Sequence, residues 1–222
     1  MNARRRALIT APRFMPLWGV FIGAVGAAVY WIGAQFWPTS VAVILSMLAA
    51  NLTAARMDAA AAAEHAAQIP AREISVPVRE LLGMVFAILV KYNTLMALSA
   101  ASLPFAMPAN LALGVIMIAG YAASRALLVS LLAAPAYSKE SSRSAPVSHA
   151  DLAIALAIGF APAVLIGIPG LIGLVAAIAA RFVAVAYLRR SRPSDAGKEL
   201  DMTRQVTEVC FYLGALAAWA YG

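Results

Sequence analysis

Charge is scarce in this chain of 222 residues: only 12% are Asp, Glu, Lys or Arg, while 63% are hydrophobic. A soluble domain of this length carries about twice that share of charge. Cysteine is almost absent. The single Cys210 excludes an internal disulfide and any multi-cysteine metal site, and reads as a buried free thiol. Histidine is nearly absent too: His65 and His149 both fall in polar segments and read as surface residues. The motifs HExxH, GxxxxGK[ST] and GxSxG are missing, which removes zincin, P-loop and nucleophile-elbow chemistry.

What the chain has is long apolar runs. Seven can be marked, at 15–35, 40–56, 81–103, 109–134, 151–168, 170–188 and 207–222. Several approach the roughly 20 residues that a helix needs to cross a bilayer. The expected fold is all-α: a polytopic integral membrane helical bundle of six to seven transmembrane helices, forming a single transmembrane domain over 1–222. The run after "MNARRRALITAPRF" is long, carries Trp18 and Trp31, and reads as a retained helix rather than a cleaved signal.

The charges that do occur are sorted. All 17 Lys and Arg residues lie in the N-terminal arm and in the 56–91, 125–143 and 181–204 regions. The alternate connections "QFWPT", "SLPFAMP" and "IPG" carry none. The positive-inside rule therefore predicts a cytoplasmic N-terminus in a bacterial-type inner membrane. The cytoplasmic loops then fall at about 56–80, 135–150 and 189–206. The net charge of +7 serves orientation and membrane lipid rather than nucleic acid. The alanine-rich "MDAAAAAEHAA" predicts a helix lying at the interface inside the first long loop. Gly19, Gly23 and Ala27 form a small-residue stripe that permits close helix approach.

Three cations stand inside spans: Lys91, Arg125 and Arg181. Lys91 lies about eleven residues past Glu80, roughly 16 Å along a helix. Cations at such depth face a polar cavity or a partner, or snorkel to the interface. A cytoplasmic cavity floored by Lys91 and Arg125 suits the phosphate of a phosphorylated small-molecule substrate. Acids near the loops (Asp58, Glu64, Glu73, Glu80, Asp195, Glu199, Asp201 and Glu208) are the residues available to hold Mg²⁺ against it. A transporter is disfavoured by the lack of acids deep in the spans and of internal repeats.

The order of these features resembles the cobalamin synthase family, the adenosylcobinamide-GDP ribazoletransferases. The stretch "RFMPLWGVFIGA" is similar to the family's opening, with Pro16, Gly19 and Gly23 in a P-x-x-G-x-x-x-G pattern. "EISVPVRELLGMVFAILVKY" resembles its acidic-loop-to-helix segment, with Glu73 at a usual Asp and Lys91 at the family's lysine. "AASRALLVSLLAAPAYS" brings Ser124-Arg125 onto the family's own pair, and "SDAGKELDMTRQVTEVCFYLGALA" resembles its C-terminal motif at Gly197, Leu200 and Glu208. The resemblance implies a transferase of cobalamin biosynthesis that joins adenosylcobinamide-GDP to α-ribazole or its phosphate and releases GMP. It implies Mg²⁺ on acids such as Asp58, Glu73, Asp201 and Glu208, and substrate phosphate on Lys91 and Arg125.

The family's acidic run of the type H-x-D-G-L-A-D-T-x-D-G is replaced here by "NLTAARMDAAAAAEH", in which Asp58 is the one aspartate. Its C-terminal T-G-D is replaced by Ala196-Gly197-Lys198. Two readings follow: an enzyme drawing on other acids, or a non-catalytic paralogue acting as membrane scaffold or ligand-binding partner. The same loop also resembles that of ubiquinone-type aromatic prenyltransferases through Asn51, Ile69-Pro70 and Ile74-Ser75, so a divergent prenyltransferase-like enzyme is a further alternative.

Overall fold

A computed structural model describes residues 12–66, 78–100, 109–133, 147–191 and 196–221. Among them a 3₁₀ turn, Pro12–Phe14, leads into seven helices. These are α1 (Met15–Phe36), α2 (Thr39–Ala66), α3 (Val78–Ala100), α4 (Ala109–Leu132), α5 (His149–Leu165), α6 (Ile168–Ser191) and α7 (Ala196–Tyr221). Stretches of α1, α2, α3, α4 and α6 are long and apolar enough to cross a membrane. In hydrocarbon every backbone polar group must be paired within the chain, which is why such a composition resolves into helices. The protein is an all-α polytopic membrane bundle.

Helix α4 is its centre. Of its most apolar stretch 78% is buried, against 22% for α3, which stands at the edge. The glycine stripe explains how α1 seats on α4. A Cβ at Gly23 would lie 2.6 Å from Ile118 Cα, and one at Gly19 would collide with the Tyr121 carbonyl. Ala27 continues the seam against Gly114. Backbones this close gain dispersion contacts that compensate for the missing hydrophobic drive between helices in lipid. Gly120 likewise leaves room for the Tyr212 ring of α7.

Three sequence expectations are corrected. The alanine-rich stretch through Ala66 is the continuation of α2, not a separate interfacial helix. The break before α6 falls at Ile166–Gly167, where Gly167 has φ 80°, a conformation that costs glycine little. Pro169 instead occupies the first turn of α6, where its missing N–H is harmless. Helix α7 begins at Ala196, so the 189–206 region is largely helical and Glu208 lies well inside a helix. The acid-free interior assumed in disfavouring a transporter therefore does not hold.

Candidate functional site

Lys91 sits at the midpoint of the Leu82–Ala100 span and is 6% exposed. An ammonium there needs a counter-charge, and α7 supplies it. Lys91 Nζ donates to Glu208 Oε1 at 2.5 Å and to the Tyr121 hydroxyl of α4 at 2.7 Å. The Tyr212 hydroxyl completes the set, 3.2 Å from the same carboxylate oxygen and 3.3 Å from the Met117 carbonyl. Three helices thus converge on one buried ion pair, braced by two tyrosine hydroxyls. That is the condition under which a buried pair repays its desolvation.

Nearer the end of the bundle that carries the charged connections, a second pair joins α4 to α2. Arg125 is 3% exposed, and its Nη2 lies 3.2 and 3.3 Å from the two Asp58 carboxylate oxygens. Arg125 Nε is buried without a partner. A third pair lies within α7: Arg204 Nη2 donates to Asp201 Oδ1 at 2.5 Å, and Gln205 donates to its other oxygen at 3.2 Å. Arg181 of α6 reaches the Ser130 carbonyl of α4 at 3.1 Å.

A cavity of about 460 Å³ opens among α2, α3 and α7. Asn51 and Asp58 line it from α2, Lys91 from α3, and Asp201, Arg204, Gln205 and Glu208 from α7. Four of the residues singled out in the sequence, Asp58, Lys91, Asp201 and Glu208, therefore share one space. Arg125 stands behind its wall, reaching it through Asp58. Glu73 and Asp195 lie outside the described residues, as do the side chains of Glu64, His65, Glu80 and Glu199. His149 is exposed at the start of α5. Cys210, read as buried, is half-buried on a different groove between α6 and α7.

Arg204 escaped the sequence reading, as did the two tyrosines. The signal was present: Asp201, Arg204, Gln205 and Glu208 follow the i, i+3, i+4, i+7 pattern of one helix face. It lay in a stretch taken for a loop. Of the acids named for Mg²⁺, Asp58, Asp201 and Glu208 are described, and Glu73 lies outside the described residues. Each of the three described acids is engaged by its own cation, and no metal-holding cluster of three occurs among the described residues. Removing divalent ions with EDTA is expected to leave the melting temperature of the purified chain within about 1 °C, since a ligand bound only to the folded state would raise it.

The Arg125–Asp58 pair is asymmetric, with Asp58 half-exposed. Screening discounts its worth, but losing the carboxylate strands a buried guanidinium. Asp58→Ala is expected to destabilise by about 1–2 kcal/mol in thermal unfolding. Arg125→Ala/Asp58→Ala together should cost less than the sum of the two single changes.

An adenosylcobinamide-GDP ribazoletransferase of Ralstonia nicotianae is 31% identical to this chain over 227 residues, covering 94% of this chain and 84% of that protein. The chain belongs to the adenosylcobinamide-GDP ribazoletransferase family. A second member, from Ralstonia pickettii, is 29% identical over 93% of this chain and 84% of its own length. No family model matches the chain, and no solved structure gives a significant match. Likeness to these ribazoletransferases extends over nearly the whole chain, whereas the prenyltransferase resemblance rests on one loop.

Proposed function

We propose that the chain is a membrane transferase that joins adenosylcobinamide-GDP to α-ribazole or its phosphate and releases GMP, working in the cavity among α2, α3 and α7. One observation carries this reading: in a chain alike to ribazoletransferases from end to end, the deep cation and three of the candidate acids line the same space. Lys91 and Arg204 both face that space with N–H groups to spare. Their hydrogen bonds in the free protein take two of three ammonium donors and two of the guanidinium nitrogens. Such donors, fixed in place before the substrate arrives, stabilise charge that builds on a diphosphate as its P–O bond breaks. Arg125 adds positive charge from behind Asp58. The charged end of the cavity, the N-terminus and the charged connections lie on the cytoplasmic side of a bacterial inner membrane, by the sorting of Lys and Arg among the connections.

A second reading has its own support. Each described acid of the cavity is already neutralised by a cation, as in a protein that holds a phosphorylated ligand without turning it over. Complementation separates the two. In a bacterium lacking its own ribazoletransferase, this chain is expected to restore cobalamin-dependent growth. Failure of a membrane-inserted, folded chain to do so would leave the non-catalytic reading standing.

A further inference from the structure

The cavity has two kinds of wall. Its polar side is the Asp201–Glu208 face of α7 with Asp58 and Lys91. Its other side is Leu48 and Leu52 of α2 and Met84, Ala87 and Ile88 of α3. Leu48, Leu52, Met84 and Ile88 are between 39% and 52% exposed although they line a cavity. They therefore form the lips of an opening. All four lie within the apolar spans Thr39–Asp58 and Leu82–Ala100, so the opening faces the bilayer sideways.

The cause is the poor seating of α3. From Leu82 to Leu89 nearly every side chain is exposed, and Gly83 has nothing within 4 Å of its would-be Cβ. Tight burial begins at Lys91 and continues through Thr94, Leu95 and Leu98. Helix α3 is thus anchored by its second half, and its first half stands away from α2.

The order of residues along the opening matches a lipid. Asp58 closes one span, while Asp201 and Arg204 precede Glu208 by one to two helical turns. The charged groups therefore lie at the polar end, and Leu52, Leu48 and Ile88 lead from them toward the depth of Lys91. The acids facing this space, Asp58, Asp201 and Glu208, are each taken by Arg125, Arg204 and Lys91. The donors left over belong to cations.

We propose that this cavity binds a lipid phosphate entering from the bilayer between α2 and α3. The phosphate rests on Arg204 at the polar end, and the apolar chain lies along Leu48, Leu52, Met84 and Ile88. The lipid phosphate adds a ligand class to the cavity of the transferase reading. Its test uses no corrinoid, so failure of the lipid site is distinguishable from failure of that reading. The full chain, purified in an uncharged detergent, is titrated with dodecyl phosphate, dodecanol and inorganic phosphate, with binding followed by native mass spectrometry.

Dodecyl phosphate is expected to bind at least about 10-fold more tightly than either of the others, because only it fills both walls. Ile88→Gln should weaken dodecyl phosphate about 5-fold or more while leaving inorganic phosphate unchanged. Arg204→Gln should weaken both phosphates and spare dodecanol. Val175→Ser, an exposed position on α6 away from the cavity, should change nothing. Equal binding of inorganic and dodecyl phosphate would make this a free-phosphate site and overturn the proposal. So would equal binding of dodecanol, or an Ile88→Gln chain that binds dodecyl phosphate as the parent does.

Discussion

Glu208→Ala is expected to destabilise the protein by about 3–5 kcal/mol, because it leaves the Lys91 ammonium buried without its counter-charge. The geometry behind this is specific. The carboxylate accepts from Lys91 at 2.5 Å and from the Tyr212 hydroxyl at 3.2 Å, and it is 3% exposed. Tyr121 remains as an acceptor for Lys91, yet a neutral hydroxyl does not offset a full charge in the middle of a span. The double variant Lys91→Met/Glu208→Leu removes both charges and fills the space with apolar atoms. It should recover to within about 2 kcal/mol of the parent, since exchanging a whole buried pair for hydrophobic groups is often nearly neutral. Thermal unfolding of the parent, the Glu208→Ala chain and the double variant in one detergent gives the comparison. A Glu208→Ala chain within about 1 kcal/mol of the parent would mean that Lys91 finds water or another partner.

The second large effect concerns the α1–α4 seam. The double change Gly19→Val/Gly23→Val is expected to cost more than about 3 kcal/mol, seen as loss of folded yield and a lowered melting temperature. Overpacking one site usually costs about 1–3 kcal/mol. Here two adjacent turns would be blocked by backbone atoms of Tyr121, Ala122 and Ile118, which cannot move aside as a side chain can. The consequence reaches the cavity, because Tyr121 and Arg125 stand on the same helix that α1 would push away. Gly83→Ala is the contrast. With open space around it and the better helix propensity of alanine, it should be neutral or stabilising by about 0.5–1 kcal/mol.

The sequence carried the spans well, because hydropathy over some 20 residues is a property of the segment itself. It also carried the glycine stripe and the unusual depth of Lys91. It could not carry the partners. Asp58 and Arg125 are 67 residues apart and Lys91 and Glu208 are 117 apart. Only the packing of α2, α4, α3 and α7 brings these charges together. Glu208 was misplaced for a physical reason as well. The polar stretch before it looks like a loop by hydropathy, yet its charges occupy one face of a helix and line a cavity, so the helix starts far earlier than its apolar half. Arg204 was lost with that same helix start.

Each described acid of the cavity, Asp58, Asp201 and Glu208, is paired with a cation. On the proposed function, these paired charges form a phosphate-transfer site that works through the donors of Lys91 and Arg204. The direct measurement is GMP release from adenosylcobinamide-GDP in the presence of α-ribazole phosphate, using bacterial membranes that contain the chain and lack any other ribazoletransferase. Parent membranes should release GMP. A Lys91→Met/Glu208→Leu chain, retaining its fold, should release less than about one hundredth as much, a barrier increase of at least about 2.7 kcal/mol. Release of GMP by the double variant at the parent's rate, or none by a folded parent, would contradict it.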